Sequence, residues 1–191
     1  MSGSEFVEFD WSEGLDLEQR LQRRSDDRSV KGMFYTQIVD AAADRGVDLG
    51  TPKFSAFRDY SMHDWLRLMA RAADEVFPEM APAAAVRELA RPTYPRFRES
   101  LLGRVIFTVT EFDSALRLAS KAYRRVGPAR CTVTEHEPGR AVLQLREVWE
   151  FPAWQAGIYI GGFEAFGLTG HVRHRPVSLC DLDLELSWTV P

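Results

Sequence analysis

The hydrophobic period of this chain switches at Pro128, and the switch sets its architecture. Upstream, apolar residues recur three and four positions apart, the repeat of a helix with one buried stripe. Downstream they recur mostly at every second position, the repeat of a strand with one buried face. A chain patterned this way is expected to be α+β, an all-helical N-terminal part followed by an antiparallel β-β-α-β-β part. Its 191 residues suit one domain and a short extension. The composition shift near Val30 places an N-terminal arm over 1–29 and a single domain over 30–191, helical over 30–127 and sheet-forming over 128–191.

Within the arm, a short helix is expected over Leu15–Arg24. Met33, Phe34, Ile38, Val39 and Ala42 predict a helix over Val30–Arg45, which Gly46 ends. Ser61 with Asp64 has the form of a capping box, and Trp65, Leu66, Leu68, Met69, Ala72 and Ala73 follow as an apolar stripe. The prolines that come next divide a short helix, Ala83–Ala90, from a longer one, Tyr94–Thr110. A further helix, Asp113–Val126, ends at Gly127 and Pro128. In the sheet part, a strand from Val133 to Glu137, the Pro138–Gly139 turn and a return strand Ala141–Trp149 make a hairpin. Pro152 then opens a helix running to about Gly167. Strands His171–Val177 and Cys180–Val190 finish the chain; the last puts Leu182, Leu184, Leu186 and Trp188 on a core face and Asp181, Asp183 and Glu185 on a wet one.

A formal charge of −4 gives no overall drive toward nucleic acid or anionic lipid. The opening residues carry Glu5, Glu8 and Asp10, the reverse of a basic secretory leader, and the stretch Trp154–Leu168 is short of the roughly 20 residues a membrane span needs. With only Cys131 and Cys180, no disulfide framework is implied, and two buried thiols in a reducing, cytoplasmic setting are expected.

No metal site is expected. His171 and His174 are three apart in a strand and point to opposite faces, while His63 and His136 have no ligand partner at a useful spacing. Nucleophile elbows and phosphate-binding glycine loops are absent; Gly157 and Gly161, four apart in a helix, read as a close backbone approach. Alternation from Leu143 and Leu145 puts Glu147 on the core side of its strand, where a carboxylate needs a partner. It is a general base, a polar anchor for a ligand, or half of an ion pair with an arginine at the sheet edge. Glu150 reads as a cap for the Pro152 helix. Arg117, Lys121, Arg124 and Arg125 share a helix side, with Arg130 following, and form a local basic face. That face is either solvated, in contact with the acids of the last strand, or a docking surface for an acidic protein or an anionic ligand. No stacking aromatics interleave it, which weighs against nucleic acid.

The run Val30-Lys31-Gly32-Met33-Phe34-Tyr35, the run Trp65-Leu66-Arg67-Leu68, the hairpin from Val133-Thr134-Glu135 to Glu147-Val148, and the spacing of Pro152, Gly157 and Gly161 resemble a myxobacterial (Myxococcus) paralogous family of unknown function. The order of elements is also similar to the heme nitric oxide/oxygen-binding (H-NOX) domain. That family carries a heme-ligating His on the helix before the sheet; here the stretch reads Tyr123-Arg124-Arg125-Val126-Gly127, with Tyr123 at the ligand position. Its propionate-binding Tyr-x-Ser-x-Arg corresponds to Gln144, Arg146 and Val148. Both devices are changed, so the resemblance implies an H-NOX-like fold without heme, although a phenolate from Tyr123 is a possible iron ligand.

What the resemblance does imply is an internal cavity between the helical part and the sheet. Trp65, Phe107, Tyr123 and Glu147 are expected around it, together with Trp149, Trp154, Tyr159 and Phe163. The leading expectation is a non-enzymatic sensor or regulatory module that holds a small apolar or aromatic ligand there, or a protein partner on its surface. The alternatives are an enzyme using Glu147 as base and a heme protein with Tyr123 as axial ligand.

Overall fold

Gly157 and Gly161 let two helices touch backbone to backbone, and the rest of the molecule is arranged around that contact. A side chain at Gly157 would run into the Arg87 carbonyl and the Ala90 side chain, and one at Gly161 into the Arg91 carbonyl. The computed structural model describes residues 5–23, 28–99, 104 and 111–189. Its elements are β1 (Val7–Glu8), α1 (Leu17–Gln22), β2 (Ser29–Lys31), α2 (Gly32–Ala43), β3 (Asp59–Ser61), α3 (Met62–Val76) and α4 (Pro82–Ala90). They continue with α5 (Thr93–Glu99), α6 (Phe112–Val126), β4 (Arg130–Glu137), β5 (Arg140–Arg146), α7 (Pro152–Ala165), β6 (Thr169–Ser178) and β7 (Asp181–Thr189). The fold is α+β, with helices preceding an antiparallel sheet interrupted by α7, as the change of period predicts.

The five-stranded sheet has the order β1-β6-β7-β5-β4 and is antiparallel throughout. Pro138 and Gly139, the latter at φ +78, close the hairpin between Glu137 and Arg140. Leu143, Leu145, Leu182, Leu184 and Leu186 are buried and face α7. α7 is apolar on all sides because it is covered twice, by the sheet and by α4 and α5. Gly32, at the start of α2, meets the Ser55 carbonyl and the Tyr60 ring in the same close manner as the α7 glycines.

Several expectations change. Ser61 accepts from the Asp64 N–H at 3.4 Å, so the cap is present, but Ser61 also closes a two-stranded β2–β3 pair that three-residue strands are too short to reveal by alternation. The segment before Val30 is woven into the fold: β1 forms the sheet edge beside β6, and Trp11, Leu15, Leu17 and Leu21 pack on the helical core. Its helix covers Leu17–Gln22 within the expected Leu15–Arg24. The helix expected over Tyr94–Thr110 is present from Thr93 to Glu99, and most of the remainder lies outside the described residues.

The acids of β7 are not on a wet face. Asp183 and Glu185 are buried at 2% and 7% exposure because arginines flank each one. Asp183 bonds Arg146 at 2.7 Å and Arg175 at 2.7 Å; Glu185 bonds Arg140 at 2.8 Å and also Arg173. Burial alone would raise the Glu185 carboxyl, and the Arg140 and Arg173 hydrogen bonds more than offset it, holding the group below the ordinary carboxylate range.

Candidate functional site

Three alanines on the inner face of α6 leave space that larger side chains would fill. Phe112, Ala115, Leu116, Ala119, Ala122 and Tyr123 recur at helical spacing along that face, and Ile158 and Gly162 of α7 line the same space. The result is a cavity of about 110 Å3, bordered also by Trp65 of α3 and by Thr93, Tyr94 and Phe97 of α5. Helices supply most of its walls, and Gly127, Ala129 and Glu150 add loop residues to them. Val30 of β2 also lines it, whereas the five-stranded sheet contributes no lining residue among those described, so the cavity lies on the helical side of that sheet.

Four of the eight residues expected around a cavity line it: Trp65, Tyr123, Trp154 and Tyr159. Trp65 and Trp154 meet edge to face, with ring centroids 5.3 Å apart. Phe163 is buried elsewhere, between Phe112 and Trp188 under Gly170. Trp149 is turned toward the N-terminal segment, and its carbonyl accepts from Arg20. Phe107 lies outside the described residues.

Glu147 does not line this cavity; with Trp149 it borders a separate, more open pocket beside Arg28, Cys180 and Asp181. β5 ends at Arg146, and Glu147 adopts φ 57, the left-handed region, which breaks the alternation that placed it on the core side. Its carboxylate pairs with Arg28 at 2.8 Å and with Arg130, and its N–H donates to Asp181 at 3.0 Å. A carboxylate held by Arg28 and Arg130 is committed to those charges, so of the three readings of Glu147 the ion pair at the sheet edge is the one the geometry matches.

Glu150, expected as a helix cap, occupies the position of interest instead. The N-cap of α7 is Phe151, which makes no side-chain cap bond, and Glu150 lines the cavity. Its Oε2 is fully shielded and has no hydrogen-bond partner. Burial raises the carboxyl above its ordinary range, with partial relief from local backbone N–H groups and from the Arg20 charge. Two other lining residues carry a shielded polar atom without a partner, Trp65 Nε1 and Thr93 Oγ1. A sequence signal for Glu150 does exist in retrospect: it stands one residue before the N-cap of a helix that is apolar all round, so its side chain has no solvent-facing stripe to join.

A polar chain runs along one wall. The Tyr123 hydroxyl donates to Gln155 Oε1 at 2.6 Å and accepts from Tyr159 at 3.3 Å, and the Cys131 thiol lies against the Tyr159 hydroxyl. Burial pushes the Tyr123 phenol above its ordinary value and the Cys131 thiol up to about 12. Cys131 and Cys180 are both buried and unbridged. Among the described residues no three His, Cys, Asp or Glu side chains gather as a metal site: His136 bonds Asp113 at 2.9 Å, His171 bonds Glu8 at 2.6 Å, and His174 stacks on Phe9.

On the outer side of α6, Arg117, Lys121, Arg124 and Arg125 are exposed, and Arg130 is exposed while bound to Glu147. The β7 acids do not neutralise this face, because Asp183 and Glu185 are taken by arginines of β5 and β6.

Residues 23–189 match the model of a family described as protein of unknown function (DUF2378). No curated protein matches the chain. Among solved structures, the fold is similar to the Fe(II) unliganded H-NOX protein from K. algicida, at 12% identity over 84% of this chain and 97% of that chain, with a TM-score of 0.66. It is similar as well to an H-NOX protein from S. oneidensis in the Fe(II)NO ligation state, at 10% identity over 84% and 99% of the two chains and a TM-score of 0.66. At these identities the likeness concerns the fold. No helix among the described residues is long and apolar enough to cross a membrane.

The residues around the cavity do not fit a heme. An iron-bound tyrosine must be a phenolate, whereas the Tyr123 hydroxyl is engaged as a donor to Gln155 and burial disfavours its ionisation. Of the positions corresponding to the propionate-binding motif, Arg146 is bound to Asp183 and Val148 is buried in the core. No Lys, Arg or His is among the described lining residues, and the one acidic residue, Glu150, would oppose a propionate.

Proposed function

We propose that this chain, which belongs to the DUF2378 family, is a heme-free sensor or regulatory module that takes a small, mostly apolar ligand into the helical cavity. The single observation that carries this reading is an apolar cavity of about 110 Å3 whose lining residues include three shielded polar atoms without partners, Glu150 Oε2, Trp65 Nε1 and Thr93 Oγ1. Buried polar groups in folded proteins are nearly always satisfied, so orphans gathered around one void are what a ligand or ordered water would complete. Trp65, Trp154, Tyr123 and Tyr159 supply ring surface, and an engineered void of roughly 150 Å3 accepts benzene, which sets the scale of the occupant. A fold shared with H-NOX proteins is consistent with sensing.

The test is thermal unfolding with toluene as probe. Toluene is expected to raise Tm in the wild-type chain and to lose that effect in Ala119→Leu, which fills the void. No shift in the wild type, or an equal shift in Ala119→Leu, would remove the cavity from the account.

A second reading concerns output. The exposed cations of α6 lie on the opposite side of the helix that walls the cavity. An acidic protein partner on Arg117, Lys121, Arg124 and Arg125 would therefore touch the same element as the ligand. Salt-sensitive capture of an acidic partner, lost on charge reversal of Arg117 and Lys121, tests this.

A further inference from the structure

The groups lining the cavity select a charge as well as a size. We propose that its ligand is a small primary amine bound as the ammonium ion, with Glu150 as counter-ion and the rings of Trp65, Trp154 and Tyr94 around it. This rests on the small-ligand reading above and adds the ligand's chemistry to it.

Among the described residues that line the cavity, Glu150 alone carries a carboxyl group, and no Lys, Arg or His faces it. Arg20 is the cation whose field reaches Glu150, but its guanidinium is committed to Asp16 at 2.7 Å and to the Trp149 carbonyl at 3.0 Å, and it lies over the Phe151 ring. Glu150 Oε2 therefore remains shielded and unpartnered. Burial of this carboxyl disfavours its ionised form and raises it above the ordinary range, despite partial relief from local backbone N–H groups and the Arg20 charge. An incoming ammonium changes that balance. The ligand enters as R–NH3+, Glu150 releases its proton to solvent, and the two opposite charges form a charge-assisted hydrogen bond.

Aromatic faces reinforce the same sign, because their quadrupoles attract a cation held over the ring and repel an anion. Carboxylates and phosphates are disfavoured by both Glu150 and the rings. The volume limits the body of the amine to roughly the size of a six-membered hydrocarbon ring.

Isothermal titration of the full chain at pH 7 with benzylamine, benzyl alcohol, toluene and benzoate tests the proposal. Benzylamine is expected to bind at least about tenfold tighter than benzyl alcohol. It should release protons as it binds, read from the heats in two buffers, because the ammonium favours the ionised form of a carboxyl that burial raises. Benzoate should not bind. Glu150→Gln is expected to erase the amine's advantage and the proton release while benzyl alcohol still binds. If benzyl alcohol or toluene binds as tightly as benzylamine without proton release, the amine is wrong and the small-ligand reading stands. If none of the four binds, both are wrong. Should Glu150→Gln fail to fold by circular dichroism, proton release by the wild-type chain decides: its absence overturns the proposal.

Discussion

The guanidinium of Arg20 donates to the backbone carbonyl of Trp149 at 3.0 Å, which ties the N-terminal segment to the residue that directly precedes Glu150. Arg20 is 1% exposed, a burial that an arginine tolerates here because Asp16 pairs with it from one turn earlier and the Phe151 ring lies beneath it.

Arg20→Ala removes this tie and leaves the Trp149 carbonyl without its donor. Hydrogen bonds to charged groups contribute about 1.5–3 kcal/mol, and Asp16 is partly exposed and rehydrates easily. A loss of about 2 kcal/mol is expected in urea unfolding. A change within about 0.5 kcal/mol would mean that α1 is not anchored through Arg20.

Gly161→Ala forces a Cβ into the Arg91 carbonyl, a backbone atom that cannot swing aside. Overpacking of this kind costs about 1–3 kcal/mol, so Tm should fall by several degrees. Gly14→Ala is the control, since a Cβ there meets nothing within 4 Å. Equal effects at the two positions would refute the close approach of α7 to α4.

Tyr123→Phe deletes the hydroxyl that donates to Gln155 and accepts from Tyr159. Gln155, 2% exposed, is left with an unsatisfied Oε1, at an expected cost of about 1–3 kcal/mol. If Tyr123 were instead a heme ligand, adding hemin to the wild-type chain would give a Soret band that the Phe variant loses; the expected spectrum has no such band in either protein.

Glu150 makes stability fall with rising pH. Its carboxyl is raised in the folded chain, so the folded state holds a proton that the unfolded chain gives up above about 4.5. The contribution is fully present below that value and is lost as pH climbs through the folded pKa. Glu150→Gln, neutral at every pH, should flatten this decline, so that the variant gains on the wild type between pH 5 and pH 8 in denaturant titrations. Parallel curves for the two proteins would show that Glu150 is not buried in the folded state.

Much of the fold was legible because long, one-sided elements announce their period. The Leu182–Trp188 alternation, the α6 stripe and the Pro138–Gly139 turn all sit where the sequence places them. The spacing of Gly157 and Gly161 disclosed a real helix contact. Elements of two or three residues, β1, β2 and β3, carry no period and were invisible. The site was less legible. Tyr123, Trp65, Trp154 and Tyr159 followed from aromatic richness and resemblance, but Glu147, expected on the core side, pairs with arginines, and Glu150, expected as a cap, lines the cavity. A single left-handed residue at 147 ends the strand, and neither alternation nor composition encodes that turn of the backbone. The buried state of Asp183 and Glu185 was likewise hidden, since it depends on arginines brought from neighbouring strands.

The central claim is that the cavity has an occupant, and mass measurement tests it most directly. The protein purified from its own host should show, under native conditions, a reproducible non-covalent addition relative to the denatured chain, small enough for a void of about 110 Å3 and absent from Ala119→Leu. A bare chain mass in every preparation, or an addition equal to a porphyrin, would contradict the account.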